Sequence, residues 1–310
     1  MAPARKATRN KLPIRFIGVL LSFFKSNSFC SILFSFNDTL TGTVLRLCGI
    51  FGTVERTFFK YQATGNDFVL VDNRALHFPK KDTKTIARLC HRRFGVGADG
   101  LILLEPDNSA DFRMVYYNAD GREGSMCGNG GRCIVSFARH LGLIGDSCSF
   151  RAIDGLHQAT VEADRVALQM QPVKELHVTE RYVWLDTGSP HHVQIWDPWD
   201  HLDVKREGAR IRYGLYGADG SNVNFVRPLE GQGFEVRTYE RGVEDETYSC
   251  GTGVTAVALA MHHLGHLQKA PAHIRTRGGD LQVRFQPDQG GYSDIWLEGP
   301  ALQVFKGVLP

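Results

Sequence analysis

Two cysteines stand before glycine in near-copies of one phrase, Cys127-Gly-Asn-Gly and Cys250-Gly-Thr-Gly. Each phrase opens an apolar run with helical spacing. The first run has Ile134, Phe137, Ala138 and Leu141, and the second has Val254, Val257, Ala258, Met261 and Leu264. A cysteine at a helix N-terminus faces unpaired backbone N–H groups and the positive end of the helix dipole. That setting pulls a thiol's pKa toward neutrality and favours the thiolate, which is the reactive form. The glycines allow close approach to the backbone, so the same N–H groups can hold a carboxylate. Glycine costs a helix interior about 1 kcal/mol, so several at one helix start imply a local need.

Two such thiols facing one ligand suit the inversion of a carbon that carries an acidic hydrogen. One base cannot reach both faces of a planar carbanion. A thiolate removes the proton from one face, a thiol supplies another from the opposite face, and the roles exchange with direction. Helix N-termini aimed at the substrate carboxylate would stabilise the carbanion's charge. A lone cysteine ahead of a helix is usually a small buried apolar residue; the matched, glycine-flanked pair argues against that reading here. Zinc is the competing chemistry, because Cys127, Cys133, Cys250, His191, His192, His262, His263 and His266 supply ligand types. No CxxC pair and no HExxH helix is present, so no metal and no cofactor is expected. Residues 95–100, "GVGADG", match G-x-G-x-x-G. They follow a helix-like run and precede a strand, the reverse of a dinucleotide fingerprint, and read as a turn.

The elements that must position the thiols repeat along the chain. Residues 58–74 read as strand, turn, strand, with Gly65-Asn66-Asp67 as the turn. Residues 82–93 read as a short helix capped by Asp82, with Ile86, Leu89 and Cys90 on one face. Strands follow at "LILLEP", "DFRMVYYNADG" and over 148–170. The second half has "YVWLDTG", "HVQIW", "NVNFVRP" and "FEVRTYE" before Cys250, and "AHIRT", "LQVRF" and "DIWLEG" after its helix. Tyr117 precedes Cys127 by ten residues and Tyr239 precedes Cys250 by eleven. Two similar α+β halves, each offering a thiol at a helix start, imply a cleft between them.

The chain has 310 residues, 43% hydrophobic and 22% charged, which fits a globular body of two medium domains. Its net charge is +3, but residues 1–57 hold eight Lys/Arg against Asp38 and Glu55, a local +6. The body is therefore near −3 and offers no nucleic-acid surface. Seven cysteines without framework spacing read as reduced thiols in a cytoplasmic setting. Residues 1–56 form an extension outside the fold, read as disordered, as a targeting segment or as a mis-annotated start. Its stretch 15–36 is apolar but broken by Lys25, Asn27 and serines, a marginal membrane span, and it is basic and acid-poor like a transit peptide. Plastid targeting would follow from the last reading. No membrane is expected for the folded body.

Residues 57–310 resemble the diaminopimelate epimerase family, cofactor-independent isomerases of lysine and peptidoglycan precursor biosynthesis. The resemblance rests on "ATGNDFVLVD", "RRFGVGADGLI", "YYNADGREGSMCGNGGRC", "TGSPHHV" and "YERGVEDETYSCGTG". It implies two pseudo-symmetric α+β domains, each a mostly antiparallel sheet wrapped around a central helix, with the active site in the cleft between them. The domains would be 57–171, with a return strand at about 299–310, and 172–298. The implied reaction interconverts LL- and meso-diaminopimelate, and the implied assembly is a homodimer. Cys127 and Cys250 match the catalytic cysteines. Gly128, Asn129, Gly251 and Thr252 match contacts to the reacting α-carboxylate. Glu240 and Arg241 match a substrate-binding pair, and His191 and Glu240 match groups that adjust the thiols. Asn66, Asn118 and Asn222 match contacts to the distal amino-acid end. The alternative within the class is a proline racemase or hydroxyproline epimerase, whose cyclic substrate has no distal end; the alternative outside it is a zinc or redox thiol protein. Two positions depart from the family pattern. Ser189 replaces the usual asparagine of "GNPH", and Gly100 stands where some members carry glutamine, leaving any contact there to backbone or water.

Overall fold

A two-residue turn at Thr64-Gly65, with φ of 48° and 85°, folds β1 (Arg56–Ala63) and β2 (Asn66–Asp72) into a hairpin. Positive φ at both positions matches the twist of a tight hairpin. The turn lies earlier than the Gly65-Asn66-Asp67 expected from sequence. Asn66 instead pairs with Ala63 as the first residue of β2, so the sheet fixes it. The computed structural model describes residues 56–231 and 233–309, and the readings of residues 1–55 fall outside them.

The strands continue as β3 (Gly100–Glu105), β4 (Phe112–Asn118), β5 (Ser147–Ala152), β6 (Gly155–Glu162) and β7 (Arg165–Gln169). The second half contributes β8 (Leu176–Val178), β9 (Val183–Asp186), β10 (Pro190–Ile195), β11 (Asn222–Pro228), β12 (Gly233–Glu240) and β13 (Asp245–Thr247). It continues with β14 (Ala272–Thr276), β15 (Gly279–Asp288) and β16 (Gly291–Pro300), and β17 (Leu302–Leu309) ends the chain. Hydrogen bonding follows two runs of eight strands. One is β17, β1, β2, β3, β4, β5, β6, β7; the other is β8, β9, β10, β11, β12, β14, β15, β16. Both show the same order of pairings: antiparallel twice, parallel, antiparallel, parallel, then antiparallel twice. Antiparallel pairing of β7 with β16 joins the runs, and β13 flanks β12. The last strand, β17, thus returns to the edge of the first run, the place that β8 holds in the second.

Each parallel pair needs a crossover, and a helix supplies it. These are α1 (Thr83–Cys90) from β2 to β3, α2 (Gly128–His140) from β4 to β5, α3 (Val204–Tyr216) from β10 to β11, and α4 (Gly251–His263) on the return to β14. Asp82 caps α1 by accepting from Thr85 N–H at 3.0 Å, as the sequence suggested. The sequence reading missed α3. Its buried face is Val204, Gly208, Ile211 and Arg212, and a glycine and an arginine at half of those positions hide the periodicity.

Side chains alternate across the strands to build two layers on each sheet. Val69, Val71, Leu101 and Leu103 pack with Ile86 of α1, while Phe68, Leu70, Ile102 and Leu104 pack with Ile134 and Phe137 of α2. In the second half Val223 and Phe225 meet Ile211 of α3, while Val226 and Val236 lie under α4. Strands between helices on both faces must be apolar on both. The spacing in α4 suggested an amphipathic helix, yet every residue from Gly253 to Met261 is buried. The sheet wraps all its faces, so no polar stripe is needed.

The two central helices end alike. Leu141 and Leu264 are followed by left-handed Gly142 and Gly265, with φ of 69° and 76°. Leu143 N–H bonds to Ala138 O, and His266 N–H bonds to Met261 O, closing the same glycine-dependent cap.

Candidate active site

The central helices also begin alike. Cys127 is the N-cap of α2 with φ −116° and ψ 122°, and Cys250 is the N-cap of α4 with φ −118° and ψ 111°. The two starts meet at their first residues. A Cβ on Gly251 would lie 3.5 Å from Gly128 Cα and 2.9 Å from Leu297 Cδ2, and one on Gly128 would lie 3.7 Å from Gly251 Cα. These glycines therefore let two helix N-termini touch, which the sequence alone did not reveal. Asn129 bridges the halves, because its Nδ2 donates to Ser249 O at 3.0 Å.

Between them lies a cavity of about 750 Å³. Cys127, Cys250, Asn66, Asn118, Gly128, Asn129, Asn222, Glu240, Arg241, Gly251 and Thr252 all line it. His191 does not. It is fully buried behind Thr252, with Nε2 at 2.9 Å from Thr252 Oγ1. The zinc-type ligands are not gathered. Cys133 is buried in the first core, His262 bonds to Tyr292 and His192 bonds to Tyr216. Among the described residues no three His, Cys, Asp or Glu side chains form a group that could hold a metal ion.

The electrostatics correct one expectation. Helix N-termini were expected to bring both thiols toward neutrality, but burial pushes both up. The backbone N–H groups of Gly130 and Asn129 oppose this at Cys127, as Gly253 N–H and the Thr252 hydroxyl do at Cys250. The charge of Glu240 adds to the rise at both. Burial in turn pushes the Glu240 carboxyl above its ordinary range. Desolvation outweighs the helix ends, which favours the thiol form at both cysteines. Arg132, five residues after Cys127, is fully buried. Burial lowers its guanidinium to about 10, and its positive charge favours the Cys127 thiolate. The equivalent position in α4 is Thr255, a neutral hydroxyl bonded to Gly251 O at 3.1 Å.

Neighbours orient the asparagines. Asn66 Nδ2 donates to Asp99 Oδ2 at 2.7 Å, which turns its Oδ1 toward Cys127 Sγ at 3.6 Å. Asp99 is held by Arg92 at 2.7 Å, and Arg92 also binds Asp67. Burial alone would raise Asp67, but hydrogen bonds from Arg92 and Lys60 hold it well below the usual carboxylate range. Asn222 Nδ2 donates to Ser189 Oγ at 2.9 Å and to Pro190 O, while its Oδ1 accepts Arg241 N–H at 2.9 Å. Asn222 thereby clamps the backbone of Arg241 to the Ser189 turn. Ser189 lines the cavity and, as an acceptor from Asn222, keeps its own hydrogen free. At Gly100 the contact was expected from backbone or water. The Tyr116 ring packs beside Gly100: a Cβ at 100 would lie 2.5 Å from Tyr116 Cε2, and one at Gly124 would lie 2.6 Å from Cε1. Tyr116 lines the cavity, and sequence reading missed it because "VYYN" looks like any strand.

The fold places the molecule in a class of two-half α+β proteins. It matches the Bacillus anthracis phenazine biosynthesis protein of the PhzF family with a TM-score of 0.63 at 14% identity, over 83% of this chain and 99% of that one. It also matches a hydroxyproline epimerase from Agrobacterium vitis, solved with trans-4-OH-L-proline, with a TM-score of 0.62 at 14% identity, over 83% and 93%. At such identities the likeness is of fold alone. Sequence is more specific, and the chain belongs to the diaminopimelate epimerase family: the family model described as Diaminopimelate epimerase matches residues 58–176 and 183–301. Relatives of that name include one from Flavobacterium psychrophilum, 55% identical over 250 residues, covering 80% of this chain and 98% of the relative. Another, from Chlorobaculum tepidum, is 41% identical over 256 residues, covering 79% and 98%.

Proposed function

We propose that this chain is an isomerase that interconverts LL- and meso-2,6-diaminopimelate, and that Cys127 and Cys250 carry the proton transfer. One observation supports this above others: two cysteines cap two matched helices whose starts touch, and both open into one cavity. The substrate α-carboxylate sits against the first-turn N–H groups, with Gly128, Asn129, Gly251 and Thr252 around it. Its α-ammonium lies toward Glu240. Burial is the larger cause of the rise at both thiols, and that pairing removes the smaller one, the Glu240 charge, and so shifts both toward the thiolate. The thiolate takes the α-proton, the C–H electron pair is left as a carbanion delocalised into the carboxylate, and the opposite thiol returns a proton on the other face. Forming the reactive pair from the two resting thiols releases one proton to solvent; from then on one thiol and one thiolate are present before and after each inversion.

Arg241 offers a fork for the distal carboxylate. Asn66, Asn118 and the remaining lone pair of Asn222 face the distal ammonium. These residues favour diaminopimelate over a cyclic amino acid, which has no second amino-acid end. Lysine biosynthesis is the family's pathway, and no pyridoxal phosphate, metal or other cofactor takes part. Five free thiols among the described residues suit a reducing compartment, and we place the protein in the cytoplasm, or in a plastid if residues 1–56 form a transit peptide. No helix among the described residues is long and apolar enough to cross a membrane. We further propose a homodimer, supported by the exposed Val304, Phe305 and Val308 on edge strand β17. Light scattering should then give twice the chain mass, and Phe305→Glu should shift it toward the monomer.

Proton NMR of meso-diaminopimelate in D₂O tests the activity. The reduced wild type should exchange the α-proton and form the LL isomer, and Cys127→Ala and Cys250→Ala should not. Exchange of proline but not diaminopimelate would move the function to the racemase alternative.

A further inference from the structure

The two thiols sit in matched positions but have different neighbours. At the second residue after the cysteine, α2 has Asn129 and α4 has Thr252. Behind Thr252 runs a buried chain of hydrogen bonds through a histidine, whereas Asn66, Asp99 and Arg92 stand behind Cys127 and Asn129. Thr238 Oγ1 donates to Asn224 Oδ1 at 3.0 Å, and Asn224 Nδ2 lies 3.0 Å from His192 O and 3.1 Å from His191 Nδ1. His191 Nε2 lies 2.9 Å from Thr252 Oγ1, and Thr252 Oγ1 lies 3.4 Å from Cys250 Sγ. Asn224 and His191 have no exposed surface, and Thr238 is buried.

The direction of the bonds from Asn224 to Thr252 follows from the donors available. A backbone carbonyl only accepts, so the Asn224 edge facing His192 O must be the NH₂. The same NH₂ faces His191 Nδ1, which therefore accepts. Burial, with the Arg241 charge as a smaller cause, holds His191 at about 3 and hence neutral. Its single proton is then on Nε2 and is donated to Thr252 Oγ1. With one lone pair of Thr252 Oγ1 engaged by His191, its hydroxyl hydrogen is available to Cys250 Sγ at 3.4 Å. The second glycine of the motif serves this chain, because a Cβ on Gly253 would lie 2.4 Å from Asn224 Oδ1 and 3.3 Å from His191 Cε1. The three atoms nearest a Cβ on its counterpart Gly130 belong to apolar side chains, Ile102, Met114 and Phe68.

We propose that Asn224 is a positioning residue: it holds His191 in the Nε2–H form and so directs the Thr252 hydroxyl proton to Cys250, leaving Cys127 untouched. His191 acts as a fixed neutral donor rather than as a charge, and it serves one thiol. The inference rests on the reading of Cys250 as an acid–base thiol. Two other titratable groups face Cys250, the Glu240 carboxyl and the Cys127 thiol, and the variants below leave both in place.

The test is the rate of iodoacetamide alkylation at each cysteine of the substrate-free enzyme, read by mass spectrometry across pH 7 to 10. Asn224→Asp replaces the donor with an acceptor, reverses the chain and leaves Thr252 pointing a lone pair at sulfur. Cys250 alkylation should slow about tenfold, roughly one pH unit in its profile, while Cys127 changes less than twofold. Thr252→Val should reproduce the slowing and Thr252→Ser should restore the wild-type rate. Unchanged Cys250 rates, or equal changes at both cysteines, would overturn the proposal. Should Asn224→Asp not fold, the Thr252→Val and Thr252→Ser pair decides it. Because alkylation needs no turnover, a Cys250-specific effect in an enzyme that fails to exchange diaminopimelate would sink the function and spare the relay. Normal exchange without that effect would do the reverse.

Discussion

A methyl group at position 251 probes whether the two helix starts must touch. Alanine is favoured over glycine in a helix by about 0.8–1 kcal/mol, so without a clash Gly251→Ala would stabilise α4. Here the new Cβ would lie 2.9 Å from Leu297 Cδ2, well inside the ~3.5–4.0 Å of a normal carbon contact. Leu297 is fully buried, so any shift of its side chain must displace core neighbours. On the other side Gly128 Cα at 3.5 Å and Asn129 Oδ1 at 3.6 Å block retreat. Overpacking of this kind costs about 1–3 kcal/mol, leaving a net loss of up to about 2 kcal/mol where a stabilisation was expected. Relief comes by parting the helix starts by a few tenths of an ångström to about 1 Å. Misplacement of that size lowers kcat/KM by up to about a hundredfold. Urea denaturation and α-proton exchange measure the two effects. Gly214→Ala is the control, since its Cβ in α3 would meet nothing within 4 Å, and it should gain about 0.5–1 kcal/mol with unchanged activity. Adding Leu297→Ala to Gly251→Ala should return part of the loss, with a coupling above about 0.5 kcal/mol. Gly251→Ala with wild-type activity and stability would refute the reasoning.

Glu240→Gln should speed alkylation of both Cys127 and Cys250 in the empty enzyme at pH 8, since the carboxylate raises both, while turnover falls; unchanged rates would remove Glu240 from the electrostatics. Burial holds His191 and His192 at about 3 and about 4, against 6.5 in water. The unfolded chain then takes up protons that the folded chain refuses, so stability is lost as pH falls below 6.5, by up to about 1.4 kcal/mol per pH unit for each histidine. Urea midpoints that do not drop between pH 7 and 5 would contradict this. Mild oxidation should abolish activity reversibly and yield a Cys127–Cys250 peptide on mass spectrometry, since both thiols line one cavity; a bridge to buried Cys133 or Cys148 would speak against the shared cleft.

Much of the molecule was legible before any coordinates. Cysteine, glycine and a helical run are local signals, so both helix starts, the Asp82 cap and most strands could be read from backbone propensity and periodicity. Most of the residues expected at the site lie inside contiguous motifs, and these line the cavity, while His191 does not. What stayed hidden depends on strand register and on contacts between distant segments. The hairpin turn lies earlier than its composition suggested, because pairing of Ala63 with Asn66 sets it. Helix α3 was missed because Gly208 and Arg212 occupy its inner face. Tyr116 packs beside Gly100 only because β3 and β4 pair in register, Ile102 opposite Tyr116. Asn224 reaches His191 across two parallel strands, 33 residues apart in sequence. The thiols show the limit most clearly. Their place at helix N-termini was written in the chain, and taken alone it predicts lowered pKa values. How much water two packed halves exclude is a property of tertiary structure, and that burial outweighs the helix ends and pushes both thiols up.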